Sequence, residues 1–203
     1  MSSRDDILAS IRQNLPRVDR PLPEVPLFDD SPPTSLLAEF KDNLHRMGGQ
    51  FLDPPAEGDP LAPVRAKIAS AKIVCSVVPE IPGNRDIASV GEPQDLADVD
   101  FAIIRASFGV AETGSVLLSD ADLQVNAVAY LAQHLIVLLD PADIVVNLHH
   151  AYRRPEFWDG HYASFHTGPS ATADIEGVLI HGAQGVRSLS VLPIARAADA
   201  ATH

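Results

Sequence analysis

The chain has 203 residues, 46% of them hydrophobic, which suits a single domain with a sizeable core. Acidic residues outnumber basic ones 27 to 15, and the formal charge of −12 argues against nucleic acid and membrane surfaces as partners. The net charge does not exclude a local basic pocket that binds a small anion. The single cysteine, Cys75, lies in an apolar run, where we expect a buried, inert thiol rather than a catalytic nucleophile. One cysteine can form no intramolecular disulfide and cannot alone hold an iron–sulfur cluster.

The N-terminal region predicts a tethered helix. Residues 3–15 carry an apolar stripe at helical spacing, and Ser3 and Asp6 have the spacing of a capping box. Residues 16–33 contain six prolines, which favours an extended linker. We therefore divide the chain into a helix and linker over residues 1–33 and a domain over residues 34–203. The start of the chain lacks the apolar core of a signal peptide and no run is long enough to span a bilayer, so a cytoplasmic location is expected.

The remaining pattern predicts an α/β fold. A helix begins near Ser35 and ends at Gly48–Gly49, and another covers residues 60–70. Short apolar runs typical of strands buried on both faces then alternate with helical candidates. The predicted strands are 73–78, 101–104, 115–118, 135–139 and 188–192, and the predicted helices are 122–133 and 141–152. This alternation indicates one open sheet, with strands ending near Ile104, Leu118, Leu139 and Leu192 and helices on both faces.

One candidate site segment is the stretch 108–116, in which two glycines bracket an acid. A strand leads into Glu112, and Thr113 and Gly114 follow before the next strand. Glycine lets a backbone bend and lets a ligand come close. A carboxylate held there can act as a base, a nucleophile or an acceptor for a ligand hydroxyl. The alternative is that Glu112 only caps a turn or pairs with an arginine.

A second candidate segment covers residues 166–176 and predicts a strand, a tight loop and the start of a helix. Free N–H groups at a helix N-terminus bind anions, and hydroxyl groups in the loop add donors. The candidate ligand-binding residues here are Thr167, Gly168, Pro169, Ser170, Thr172 and Asp174. The carboxylate of Asp174 is so close to this loop that it would repel a bare phosphate, unless the side chain points away or holds a cation. The alternative is an ordinary capped helix.

A third segment, residues 180–187, places two glycines in a loop before the last strand, where Arg187 is a candidate counter-charge for a carboxylate or simply part of a surface turn. The histidines have no metal-ligand spacing, since adjacent His149 and His150 diverge on a helix and HExxH and CxxC are absent. The familiar nucleotide and hydrolase motifs are absent as well. We expect neither a metal nor a cofactor.

Three stretches taken together, GVAETGSV, TGPSATADIE and HGAQGVRSL, resemble the signature of the LUD domain family, of the lactate-utilisation LutC/YkgG type. The resemblance implies a Rossmann-like fold similar to the NagB/RpiA/CoA-transferase superfamily. It also implies a part in oxidising L-lactate to pyruvate beside iron–sulfur partner proteins, this chain being the subunit without clusters. The alternative is an independent enzyme or binding protein for a small phosphorylated or acyl ligand on that fold.

The stretch before His134 lacks the family's usual prolines, and two further departures change the charge near the site. Ala171 stands where members carry an arginine, and Arg105 lies in the stretch ahead of AETG, where members carry glycine and an acid. Either Arg105 replaces the missing charge, or the chain is a divergent paralogue with another ligand or none. We expect Glu112 and the loop 167–172 to share a cleft at the strand ends that binds a small anion, with Arg105 or Arg187 balancing the acid. Whether the chain forms a homo-oligomer is left open.

Overall fold

The structure is a computed structural model of the chain and describes residues 3–16, 21, 23–174, 176–182 and 185–196. Its helices are α1 Ser3–Asn14, α2 Leu36–Arg46, α3 Ala62–Ile68, α4 Asp120–Leu123, α5 Val128–Leu131 and α6 Leu148–Ala151. Its strands are β1 Gln50–Phe51, β2 Val74–Ser76, β3 Phe101–Arg105, β4 Phe108–Val110, β5 Ser115–Ser119, β6 His134–Leu139, β7 Ile144–Val145, β8 Ala163–His166, β9 Ala171–Thr172, β10 Ile180–His181 and β11 Ser188–Pro193. Single 3-10 turns cover Ile87–Ser89, Pro93–Leu96, Pro141–Asp143 and Pro155–Phe157. No helix in the described ranges has the length and apolar character needed to cross a bilayer.

Five strands form a fully parallel sheet in the order β1-β11-β6-β3-β2. Along β3, Ala102 and Ile104 pack into an apolar cluster that includes Leu44 of α2. Ile103 points to the other face and packs in a second cluster with Val64 of α3. Helices therefore cover both faces of the sheet, which is why its strands are apolar throughout. The predicted α/β fold class is confirmed.

A second sheet of four strands, in the order β7-β4-β5-β8, lies against the α2 side of the core. The predicted place of the strand ending at Leu118 is wrong, because β5 belongs to this second sheet and runs antiparallel to β4. Only four residues separate Val110 from Ser115, and strands joined by so short a link pair antiparallel. Gly114 makes the turn with a φ of +65° and donates its N–H to the carbonyl of Val110.

Two predicted helices differ from the structure. In place of one helix over residues 122–133, the chain forms two single turns, α4 and α5, because Gln124 leaves the helical region with a φ of +60°. Within residues 141–152, strand β7 pairs with β4 before α6 begins. The side chain of Asn147 starts α6 by accepting a hydrogen bond from the N–H of His150 at 3.1 Å.

The N-terminal helix has the predicted position, and its apolar stripe faces solvent: Ile7, Ile11 and Leu15 are each more than half exposed. The described residues between 16 and 33 contain neither helix nor strand, as the prolines predict. The last part of this linker nevertheless packs against α6. The boundary at residue 33 stays a prediction.

Candidate functional site

Glu112 sits in the tight turn between β4 and β5. Its N–H donates to the carbonyl of Val146 at 3.0 Å, and its carboxylate Oε2 accepts the N–H of Leu148 at 3.1 Å. Leu148 is the first residue of α6, so the carboxylate helps to satisfy an N–H that lacks a partner inside the helix. The side chain is exposed, so a ligand can reach it. The capping role is therefore real, and it leaves the group accessible for chemistry.

The C-terminal half of α2 packs on two glycine turns and brings them together. A Cβ on Gly114 would lie 2.2 Å from the backbone nitrogen of Leu44, and one on Gly168 would lie 2.2 Å from the carbonyl oxygen of Met47. Both glycines also have positive φ values, +65° and +68°. Only glycine meets both demands, backbone conformation and close approach. These contacts place the Glu112 turn and the Thr167 loop at the same end of α2.

A short run of hydroxyl groups joins the two segments directly. Ser115 Oγ donates to Thr113 Oγ1 at 2.7 Å, and a further hydrogen bond links Ser115 Oγ with Thr167 Oγ1. Ser115 is buried, so this contact lies inside the molecule. The structure thus places Thr113, Gly114, Thr167 and Gly168 around one region, next to Glu112.

Two adjoining clefts open beside Glu112. The larger, here the Glu112 cleft, has a volume of about 480 Å³; the smaller, here the Thr167 cleft, about 340 Å³. The Glu112 cleft is lined by Phe28, Ser31, Pro33, Glu39, Asn43, Arg46, Glu112, Val146 and Asn147. The Thr167 cleft is lined by Asn43, Arg46, Met47, Glu112, Thr113, Ser115 and Thr167. Residues at the end of α2 line both clefts. The charged residues that the two clefts share are Glu112 and Arg46.

Sequence reasoning missed Arg46, the arginine that lines both clefts. Its guanidinium Nη1 donates to Asn43 Oδ1 at 3.2 Å, and Asn43 Nδ2 donates to the carbonyl of Ala111 at 2.9 Å. Asn43 is buried and ties the arginine to the residue that precedes Glu112. The only sequence signal was a basic residue in the last turn of a helix, where it equally complements the helix dipole.

Arg105 and Arg187 lie away from Glu112, so neither balances its charge as expected. Arg46 is the arginine that lines the same clefts. Arg105 ends β3, and its Nη2 pairs with Glu80 Oε1 at 2.5 Å at the carboxyl edge of the parallel sheet. Arg187 is exposed before β11, its N–H donating to the carbonyl of Gln133 at the start of β6. Neither lines the Glu112 or Thr167 cleft. The acid site lies beside α2 and the second sheet, not beyond the carboxyl ends of the parallel strands.

The described residues between Ser170 and the last strand contain no helix, which corrects the expected anion site. Residues Ala171–Thr172 and Ile180–His181 instead form a two-stranded antiparallel ribbon. The N–H of Ser170 donates to the carbonyl of Val186 at 2.9 Å, and the N–H of Asp174 to Thr172 Oγ1 at 3.4 Å. These N–H groups are already used, so the segment offers no helix N-terminus to an anion.

A third cleft of about 240 Å³, here the His166 cleft, adjoins the loop on its other side. It is lined by Ala129, Tyr130, Ser164, Phe165, His166, Thr167, Gly168, Pro169, Ser170, Gly185 and Val186. Burial lowers the pKa of His166 from 6.5 to about 4, and its Nε2 is buried with no hydrogen-bond partner among the described residues. Burial likewise raises the pKa of Tyr130. The imidazole is therefore neutral at pH 7.

Comparison with known proteins gives three findings. Residues 38–193 match the family model described as LUD domain. An uncharacterized protein of Neisseria meningitidis serogroup B is 26% identical over 138 residues. The aligned part covers 66% of this chain and 59% of that protein, so the chain spans only about three-fifths of the relative's length. The crystal structure of a DUF162 family protein from Deinococcus radiodurans is similar in fold, with a TM-score of 0.56 and 17% identity over 77% of this chain and 94% of that one.

Proposed function

This chain belongs to the LUD domain family, as its three signature segments predict, and we propose that it serves in lactate utilisation as the subunit without iron–sulfur clusters. The finer assignment to the LutC/YkgG type is part of the proposal. So are a cytoplasmic location and iron–sulfur partner proteins that carry the electrons. The small anionic ligand of this subunit is a hydroxy acid such as L-lactate, bound between Arg46 and Glu112.

One observation carries the proposal: Arg46 and Glu112 line the same two clefts. A hydroxy acid has a carboxylate at one end and a hydroxyl beside it. A guanidinium matches the carboxylate with charge-assisted hydrogen bonds, and a glutamate accepts a hydrogen bond from the hydroxyl. The hydroxyls of Thr113 and Thr167 add neutral donors and acceptors in the Thr167 cleft.

Asn43 supports this pairing by orienting the arginine. It holds Arg46 through its side-chain oxygen and the Glu112 turn through its side-chain nitrogen. Arg46 is exposed, so without this anchor a flexible side chain would lose more rotamer freedom on binding. The arginine that the resemblance expects at position 171 thus has a functional substitute on α2, 125 positions earlier in the chain than Ala171.

The test combines growth with direct binding. In a strain lacking this gene, the wild-type chain should restore growth on L-lactate, whereas Arg46→Gln and Glu112→Gln should not. Glu112→Gln keeps an oxygen for the N–H of Leu148, so folding is retained while the charge is lost. Glu57→Gln, in an exposed loop, is the matched control and should complement fully.

Binding of L-lactate to the purified chain, followed by NMR titration, should weaken about tenfold or more in Arg46→Gln, since hydrogen bonds to charged groups contribute about 1.5–3 kcal/mol. Copurification of iron–sulfur proteins with the tagged chain tests the partners. Full complementation by both cleft variants would overturn the assignment of this site. Failure of the wild-type chain to affect lactate growth would favour the alternative, an independent protein for a phosphorylated or acyl ligand.

A further inference from the structure

The geometry assigns residues 27–33 a role in the binding site: we propose that this segment, here the strap, is the wall that closes the Glu112 cleft over its ligand. Phe28 limits the size of the occupant, and Asp29 holds the strap in place. The ligand named for this cleft rests on the proposed function, whereas the closure itself does not.

The strap is held to α6 at three consecutive residues. The carbonyl of Leu27 accepts the side-chain N–H of Asn147 at 2.8 Å. The ring of Phe28 lies 4.7 Å from that of His149, centroid to centroid. Asp29 Oδ1 lies 2.6 Å from His150 Nε2. These contacts span about 120 positions of sequence, so they are tertiary contacts that the proline-rich composition does not require.

Three strap residues form part of the cleft itself. Phe28, Ser31 and Pro33 line the same 480 Å³ space as Arg46 and Glu112. A small hydroxy acid has about six heavy atoms and fills only a fraction of such a volume, since pockets of about 300–1,000 Å³ suit larger ligands. The strap anchored to α6 limits the access of water to the rest of this space, and less water strengthens the pairing of Arg46 with a carboxylate.

The first turn of α6 connects the strap to the acid. Glu112 holds the N–H of Leu148, and the adjacent Asn147 both caps α6 and holds Leu27. A ligand that engages the Glu112 carboxylate therefore acts on the same turn that anchors the strap. Phe28 has a φ of +56°, which is unfavourable for a bulky L-residue, and its side chain is 59% exposed, so the anchors at Leu27 and Asp29 on either side hold it in this conformation. Release of the anchors would let this residue relax and the cleft open.

The closure can be measured without any ligand through a single reactive thiol inside the cleft. Glu39 lines the cleft on α2, and the natural Cys75 is fully buried, so in a full-length Glu39→Cys chain a maleimide reports on the new thiol. Asp29→Asn and Phe28→Ala, each added to this chain, should raise the labelling rate. We expect up to about fivefold for Asp29→Asn, because the contact of a partly exposed carboxylate with a histidine contributes at most about 1 kcal/mol to an equilibrium.

The matched control is Asp30→Asn, which changes the neighbouring exposed acid and should leave the rate unchanged. Thermal melts check that every variant is folded, and Val146→Cys gives a second thiol position in the cleft should Glu39→Cys fail to fold. Equal rates in the wild-type strap, Asp29→Asn and Phe28→Ala would overturn the proposal.

Labelling in the presence of L-lactate separates this proposal from the proposed function. Protection by lactate that weakens in Asp29→Asn supports both. Because Glu39 accepts a hydrogen bond from Asn43, this comparison is repeated in the Val146→Cys chain. Faster labelling in the strap variants with no protection by lactate in either chain would support the strap and exclude the hydroxy acid as the ligand. Protection by lactate with no effect of either strap variant would support the hydroxy acid as the ligand and overturn the role of the strap.

Discussion

The neutral imidazole of His166 should make the stability of the protein depend on pH in a defined window. Its pKa is about 4 in the folded chain against 6.5 for a free side chain, because most of the ring, including Nε2, is buried beside the Thr167 loop. The folded state thus resists a proton that the unfolded chain accepts. The stabilisation is complete above pH 6.5 and is lost as the pH falls through that value toward 4.

The magnitude follows from the two pKa values. A pKa difference from 6.5 to about 4 corresponds to about 3 kcal/mol, of which about 2 kcal/mol is lost between pH 7 and pH 5. Carboxylates with lowered pKa, such as Asp100 and Asp140, titrate below this window and do not overlap with it. Acid should therefore destabilise the fold before most carboxylates are protonated.

Urea melts at pH 7, 6 and 5 measure this directly for the wild type, His166→Gln and His161→Gln. His166→Gln removes the titrating group, so its free energy of unfolding should fall by about 2 kcal/mol less than that of the wild type between pH 7 and 5. His161 is an exposed histidine at the start of the same region, and His161→Gln should retain the wild-type slope. Parallel curves for the wild type and His166→Gln would refute the reasoning, whatever their offset.

Three further predictions follow from contacts described above. Gly168→Ala should lower the free energy of unfolding by about 3 kcal/mol or more, because the new Cβ would collide with the Met47 carbonyl. Gly177 has a similar φ of +69° but open space around it, so Gly177→Ala should lower it by only about 1–2 kcal/mol. Thermal or urea melts compare the two variants. Glu112→Gln should change the free energy of unfolding by less than about 1 kcal/mol, since one exposed hydrogen bond is altered; a larger drop in urea melts would indicate a structural acid. Removing residues 1–26 should leave one cooperative melting transition, because in the part of the linker that the structure describes the hydrogen bonds to Asn147 and α6 begin at Leu27. A broad transition by calorimetry would contradict this.

Arg46 shows how a site residue can be invisible in sequence. Its position in the last turn of α2 is readable, because Ser35 caps the helix and Gly48 follows its end. Its approach to Glu112 is not, since it depends on Leu44 and Met47 packing against Gly114 and Gly168. Arg105 was the more visible candidate because it lies near Glu112 in the chain. Strand β3 carries it to Glu80, away from the clefts, because neighbours in sequence at a strand end can turn to different sheets.

Features that depend on the local pattern of residues could be predicted before the fold was known. Apolar runs on both faces require a sheet covered by helices, and the glycines around Glu112 require a tight turn. The partners of each strand, in contrast, depend on contacts between distant parts of the chain. β5 pairs antiparallel with β4 and β8, and the segment after Ser170 forms a ribbon with Ile180–His181 where local signals favour a helix. Strand pairing satisfies backbone N–H and C=O groups through residues that are distant in the chain. Local propensity therefore cannot select between a helix and a ribbon, because the partner strand that supplies these hydrogen bonds is not part of the local sequence.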